Sequence, residues 1–155
     1  MISERQEILK ALTAGPIILR RLVRDLPDAT MRARPAPGEW AIVEVVAHLA
    51  DTEERCLGRT RRMLDEDEPA LAPYDPDELA RERGYIDMAV ADELDRFTSL
   101  RAEQVQILEG LADDGWQRIG NRGEHGRITV QQLAAHTAGE DADHFAQIAR
   151  LIPES

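Results

Sequence analysis

Glu140 and His144 stand four residues apart in the run GEDADHFAQI, Gly139 to Ile148. On a helix that spacing starts the two side chains about 5–6 Å apart, close enough for both to reach one metal ion at ligand distances of about 2.0–2.2 Å. A second imidazole, His48 in VVAHLADTEE, borders an apolar helical face formed by Val45 and Leu49. If the two helices are neighbours, His48, Glu140 and His144 converge as three protein ligands. Three ligands leave coordination positions open for water or substrate, as a catalytic site requires. The same groups allow a simpler outcome, in which Glu140 bonds His144 or His48 directly and no metal is held. Both readings stay open on spacing alone.

Other reactive side chains have weaker claims. His136 lies eight residues from His144, about 12 Å along a regular helix, too far to share its ion, which leaves it as a pocket-lining or ligand-supporting candidate. Asp51, three residues beyond His48, can reach the same cleft. With Glu53, however, it reads more simply as a solvated face or a dimer contact. His125 falls in a loop and is expected to be exposed. Cys56, two turns beyond His48, reads as a small core residue, because nothing near it in sequence lowers a thiol pKa.

Holding such groups in place requires rigid rods. Ser3 and Gln6 stand at capping-box spacing ahead of Ile8, Leu12, Leu19, Leu22, Val23 and Leu26, which predicts a first helix over about residues 4–25. Pro16 inside it predicts a kink or restart near TAGP. RARPAPGEW is a loop, and the pattern from Ile42 to Leu64 predicts a second helix over about residues 40–65, poorly capped because Ala41 stands where Ser or Thr would pair with Glu44. Asp75 and Pro76 open a short helix to about Arg83. A third long helix is predicted over about residues 88–111. The glycine-rich run DDGWQRIGNRGEHGR then reads as loop, and Thr129 with Gln132 caps a last helix. In that helix Leu133, Thr137, Glu140, His144, Ile148 and Leu151 share one face, which places Glu140 and His144 on the buried stripe. The fold class is all-α: one domain over residues 1–155, a four-helix bundle with short extra helices in its loops.

Composition agrees and sets limits. Only 4% of the residues are aromatic against 43% hydrophobic, so the core is built from Leu, Ile, Val and Ala, which suits interdigitating helices. A net charge of -11 repels a phosphate backbone, which argues against nucleic acid as a partner. No apolar run reaches signal-peptide or membrane-spanning length, and a single cysteine suits a reducing compartment. The expectation is a soluble cytoplasmic protein that acts on a small molecule and not at a membrane.

The stretches GEWAIVEVVAHLADTEE, GRIT and LAAHTAGEDADHFAQI together resemble the DinB/YfiT-like superfamily of metalloproteins across nearly the whole chain. The resemblance implies a four-helix bundle, commonly a homodimer, with a divalent ion, nickel or zinc, held by one histidine of the second helix and two histidines four apart on the last. Carried over by residue, His48 matches the first ligand and His144 the last. The middle ligand falls on Glu140, where the family has histidine. A carboxylate there adds negative charge and reduces the Lewis acidity of an ion. The resemblance further implies a metal-dependent enzyme, either a hydrolase or a transferase of a low-molecular-weight thiol. An anionic thiol needs a cationic anchor, for which Arg59 and Arg62 are candidates. The alternative is a non-catalytic dimeric bundle with a metal-free His/Glu cluster.

Overall fold

A computed structural model of the chain describes residues 2–154. Helix α1 spans Glu4–Val23 and begins with the predicted capping box: Ser3 Oγ accepts from the Gln6 amide at 3.2 Å and Gln6 Oε1 from the Ser3 amide at 2.8 Å. A short α2, Asp28–Arg32, precedes the proline-rich loop. Helix α3 covers Ile42–Asp65. Ala41 supplies no side-chain cap, but the other half of the box forms, with Glu44 Oε1 accepting from the Ala41 amide at 3.0 Å. Helix α4, Pro76–Arg83, is capped by Asp75, and a 3-10 turn at Tyr85–Asp87 leads to α5, Val90–Glu109. The glycine-rich stretch is not the plain loop that its composition suggests. It holds a turn of helix, α6 (Asp113–Trp116), and a small hairpin of β1 (Ile119–Asn121) and β2 (Arg127–Thr129). Thr129 then caps α7, Val130–Leu151, as expected.

Four long helices form the bundle. Helix α3 packs against α5 and α7, and α1 packs against the same two, so α1 and α3 lie across the bundle from each other. The apolar core is in two parts. One is built around Leu19, Val43, Val46, Phe97 and Ile148, and the other around Leu12, Met63, Leu108, Trp116 and Val130. Between them, at one level on every helix, lies a polar layer. Arg101 of α5 donates through Nε and Nη2 to Glu53 of α3 at 2.7 and 3.0 Å. Its Nη1 and Nη2 donate to Asp141 of α7 at 2.6 and 2.9 Å. All three side chains are buried. Burial works against the Arg101 charge, yet its bonds to Asp141 and Glu53 raise its pKa overall, while burial pushes the Glu53 carboxyl up against the pull of Arg101.

The fourth helix joins through its proline. Pro16 has no amide hydrogen, so the Leu12 carbonyl four residues earlier loses its helical donor. Arg101 Nη1 supplies the missing bond at 2.9 Å. The restart predicted at TAGP is therefore corrected: α1 runs as one helix through Pro16, where the orphaned carbonyl has a partner from another helix. Gly15 clears the space, since a Cβ there would lie 2.7 Å from both Arg101 Nη1 and Asp141 Oδ2.

Gly15→Ala is a sharp test of this packing. On an open helix it stabilises by about 1 kcal/mol; here it should lower the melting temperature, and an unchanged or raised value would show the notch to be loose. Arg101→Met, which strands two carboxylates and a carbonyl, should cost about 3–5 kcal/mol in urea unfolding.

Candidate functional site

A cleft of about 1050 Å³ runs between α3 and α7, closed on its flanks by the Pro35–Trp40 loop and the segment around Tyr74. His48 projects into it from the second turn of α3 and His144 from the C-terminal half of α7. Their ring centroids are 4.8 Å apart at an interplanar angle of 68°. Trp40 closes over His48 at 4.9 Å. Burial lowers the His48 pKa to about 4, and His144 adds to the effect while Asp51 opposes it. His48 is therefore a neutral imidazole at physiological pH, with a lone pair to offer.

His144 is oriented by a neighbour one turn further along its own helix. Its Nδ1 lies 2.9 Å from Gln147 Oε1, which accepts an Nδ1 proton and turns Nε2 toward Glu140. Glu140 Oε2 lies 3.5 Å from that Nε2, and Glu140 Oε1 lies 3.6 Å from His136 Nε2. One carboxylate thus stands between two histidines, at distances that are electrostatic rather than hydrogen-bonded. His136 borders the cleft, with 62% of its side chain exposed.

Glu140 is not a core residue, contrary to the stripe read from the sequence. Its side chain is 44% exposed, and the buried face of α7 passes through Val130, Leu133, Thr137, Asp141, Phe145 and Ile148 instead. Successive steps of four carry that face onto Asp141, one residue further, because Arg101 draws this carboxylate inward. Glu140 consequently lies on the cleft wall. Among the described residues no three His, Cys, Asp or Glu side chains are placed as they stand to hold one metal ion together, so Glu140 would have to turn toward the imidazole pair to complete a set of three.

Asp51 and Glu53 are both buried, which corrects their reading as a solvated face or dimer contact. Glu53 belongs to the Arg101 layer. Asp51 is held by the Tyr85 hydroxyl, by Arg83 at 2.8 Å and by Arg96 at 2.7 Å. It is not part of the cleft wall, and it acts on His48 only through its charge. Cys56 is buried and lies 3.3 Å from Thr137 Oγ1; burial pushes its thiol up to about 12, so it stays protonated. His125 is exposed. Arg59 borders the cleft, whereas Arg62 pairs with Glu66 outside it. Missing from the sequence reading are Arg55, Gln147 and the Arg101 layer. The signal for Arg101 was available, since Leu94, Phe97, Arg101, Gln104 and Leu108 repeat at helical intervals and place an arginine on an apolar stripe.

The chain belongs to the DinB superfamily, whose sequence model matches residues 11–148. A Geobacillus kaustophilus protein named "Putative metal-dependent hydrolase" is 28% identical over 149 residues, covering 96% of this chain and 84% of its own. YfiT of Bacillus subtilis, which carries the same descriptive name, is 24% identical over 115 residues, 74% of this chain and 65% of YfiT. A solved structure, described as "YfiT from Bacillus subtilis is a probable metal-dependent hydrolase with an unusual four-helix bundle topology", superposes with a TM-score of 0.90 at 23% identity. It covers 97% of this chain and 88% of that one, and it confirms the bundle. No helix among the described residues is long and apolar enough to cross a membrane.

The depressed His48 pKa has a measurable consequence. The unfolded state takes up the His48 proton near pH 6.5 and the folded state only near pH 4, so stability falls as pH drops through that window. In metal-free protein, His48→Asn should gain on the parent by up to about 3 kcal/mol between pH 7 and pH 4. A pH-independent difference in urea unfolding would show His48 to be solvated.

Proposed function

We propose that this chain is a divalent-metal-dependent hydrolase of a small molecule, with nickel or zinc held by His48, His144 and Glu140. The observation that carries this reading is the approach of two imidazoles from separate helices, one kept neutral by burial and the other fixed by Gln147, beside a carboxylate. Two histidines and a glutamate form an established donor set for a catalytic ion that keeps a coordination position open. The hydrolase names of the relatives point the same way. Thiol transfer rests on the family resemblance alone.

A bound divalent ion would supply Lewis acidity and the means to generate a hydroxide nucleophile near neutral pH. The rest falls to the chain. His48 presents a neutral nitrogen, so binding at pH 7 displaces no proton from it. Gln147 holds the His144 ring in one orientation. Trp40 covers His48 and limits access of water from that side. Glu140 would turn from the two flanking histidines to serve as the third donor to the ion, which leaves His136 free at the exposed rim of the cleft.

A second reading has its own observation. Glu140 stands between His136 and His144 at 3.6 and 3.5 Å without a metal, as expected of a non-catalytic bundle that keeps only a polar cluster. Elemental analysis of untagged, metal-replete protein separates the two. The hydrolase reading expects about one ion per chain, lost in His48→Ala and His144→Ala and bound more weakly in Glu140→Ala. Glu140→His, with a neutral third donor, should retain the ion. Absence of metal from the parent protein would leave the second reading.

A further inference from the structure

On the face of α3 that looks into the cleft, His48, Thr52, Arg55 and Arg59 follow one another at spacings of four, three and four. The two arginines stand apart from most others in the molecule. Arg34, Arg61, Arg62, Arg96 and Arg101 each meet a carboxylate. Arg55 instead lies with its guanidinium 3.9 Å above the Tyr74 ring, and its Nε is buried without a hydrogen-bond partner. Arg59 spends one donor on the Ala72 carbonyl at 2.6 Å and leaves the others uncommitted. Its charged neighbours are cations: burial lowers its pKa, and both Arg55 and Arg122 lower it further. Arg122, whose own Nε is buried and unpartnered, is satisfied at Nη2 only by the His125 carbonyl at 3.0 Å.

Cations gathered without acids are unexpected in a chain with 30 acidic and 19 basic residues. Of the carboxylates that line the cleft, Glu53 and Asp141 are engaged with Arg101 and Glu140 stands beside its histidines, while Glu39, Asp77 and Asp143 form no ion pair with either arginine. Stacking on Tyr74 fixes the plane of the Arg55 guanidinium and leaves its edge free, the geometry in which arginine grips an oxyanion through two parallel N–H bonds. Thr52 holds the tyrosine in turn, its Oγ1 lying 3.1 Å from the Tyr74 hydroxyl.

We propose that Arg55 and Arg59 form an oxyanion subsite that anchors the terminal carboxylate or phosphate of an elongated substrate in the cleft. Seven and eleven residues separate them from His48, which sets the anchored group about 10–16 Å along the helix from the imidazole pair. The reacting bond of such a substrate lies about two to three helical turns from its charged end. The role as a substrate anchor rests on the hydrolase reading; the anion binding itself does not.

Calorimetric titration in low-salt buffer tests the subsite, with inorganic phosphate and succinate as probes, on metal-loaded protein and on protein stripped with a chelator. At least one probe should bind the stripped protein. Arg55→Gln and Arg59→Gln should each weaken that binding about tenfold, and the double variant should abolish it. Arg62→Gln, whose arginine pairs with Glu66 outside the cleft, should leave it unchanged. Arg55→Lys and Arg59→Lys keep the charge and should retain weakened binding, which covers a glutamine variant that fails to fold. Preference between the probes names the oxyanion. Failure of both probes to bind, binding unaltered in the double variant, or binding only in the presence of metal would each overturn the proposal without touching the metal assignment.

Discussion

One guanidinium joins all four long helices. Arg101 leaves α5, pairs with Glu53 of α3 and Asp141 of α7, and closes the gap that Pro16 opens in α1. An ion cluster cut off from water is a poor source of net stability, since desolvation offsets much of its Coulomb energy. Its value lies in register. A hydrophobic layer tolerates sliding and rotation of one helix on another, whereas a five-donor fork with three fixed acceptors does not. The relative heights of His48 and His144 follow from it, because Glu53 lies five residues after His48 and Asp141 three before His144.

The same layer separates two chemical environments. Toward the Trp40 end lies the imidazole pair, where burial lowers the basicity of His48 and Gln147 orients the ring of His144. Toward the hairpin end lie the arginines and Tyr74. Glu53, Arg101 and Asp141 also contribute to the cleft wall between the two, but their charges are already mutually satisfied. The wall is therefore polar there without offering free charge to a ligand.

The features legible in the sequence were those that local rules determine. Capping residues at Ser3, Asp75 and Thr129 located helix starts, and helical periodicity placed His48 and His144 on facing rods. What failed needed tertiary knowledge. A step of four and a step of three are both allowed on a helix face, and the choice between Glu140 and Asp141 as the inward carboxylate depends on an arginine forty residues away in sequence. Pro16 read as a break because its rescuing donor belongs to another helix. The hairpin within DDGWQRIGNRGEHGR was hidden by its glycines, although Gly120 is there for close approach, with Leu71 and Met63 against it. Arg55 carried no signal at all, since an exposed arginine and a cleft arginine look alike along a chain.

The segment between α3 and α4 is tied down along its length. Leu71 donates to the Asn121 carbonyl at 2.7 Å and Asn121 to the Pro69 carbonyl at 2.9 Å, while Arg62 and Arg59 hold the carbonyls of Ala70 and Ala72 at 2.8 and 2.6 Å. Tyr74, which forms part of the cleft, thus arrives on a strap fastened at both of its neighbouring elements. A ligand entering here meets walls already in place and loses little free energy to ordering them. Its association rate should be limited by encounter and desolvation rather than by closure of a loop.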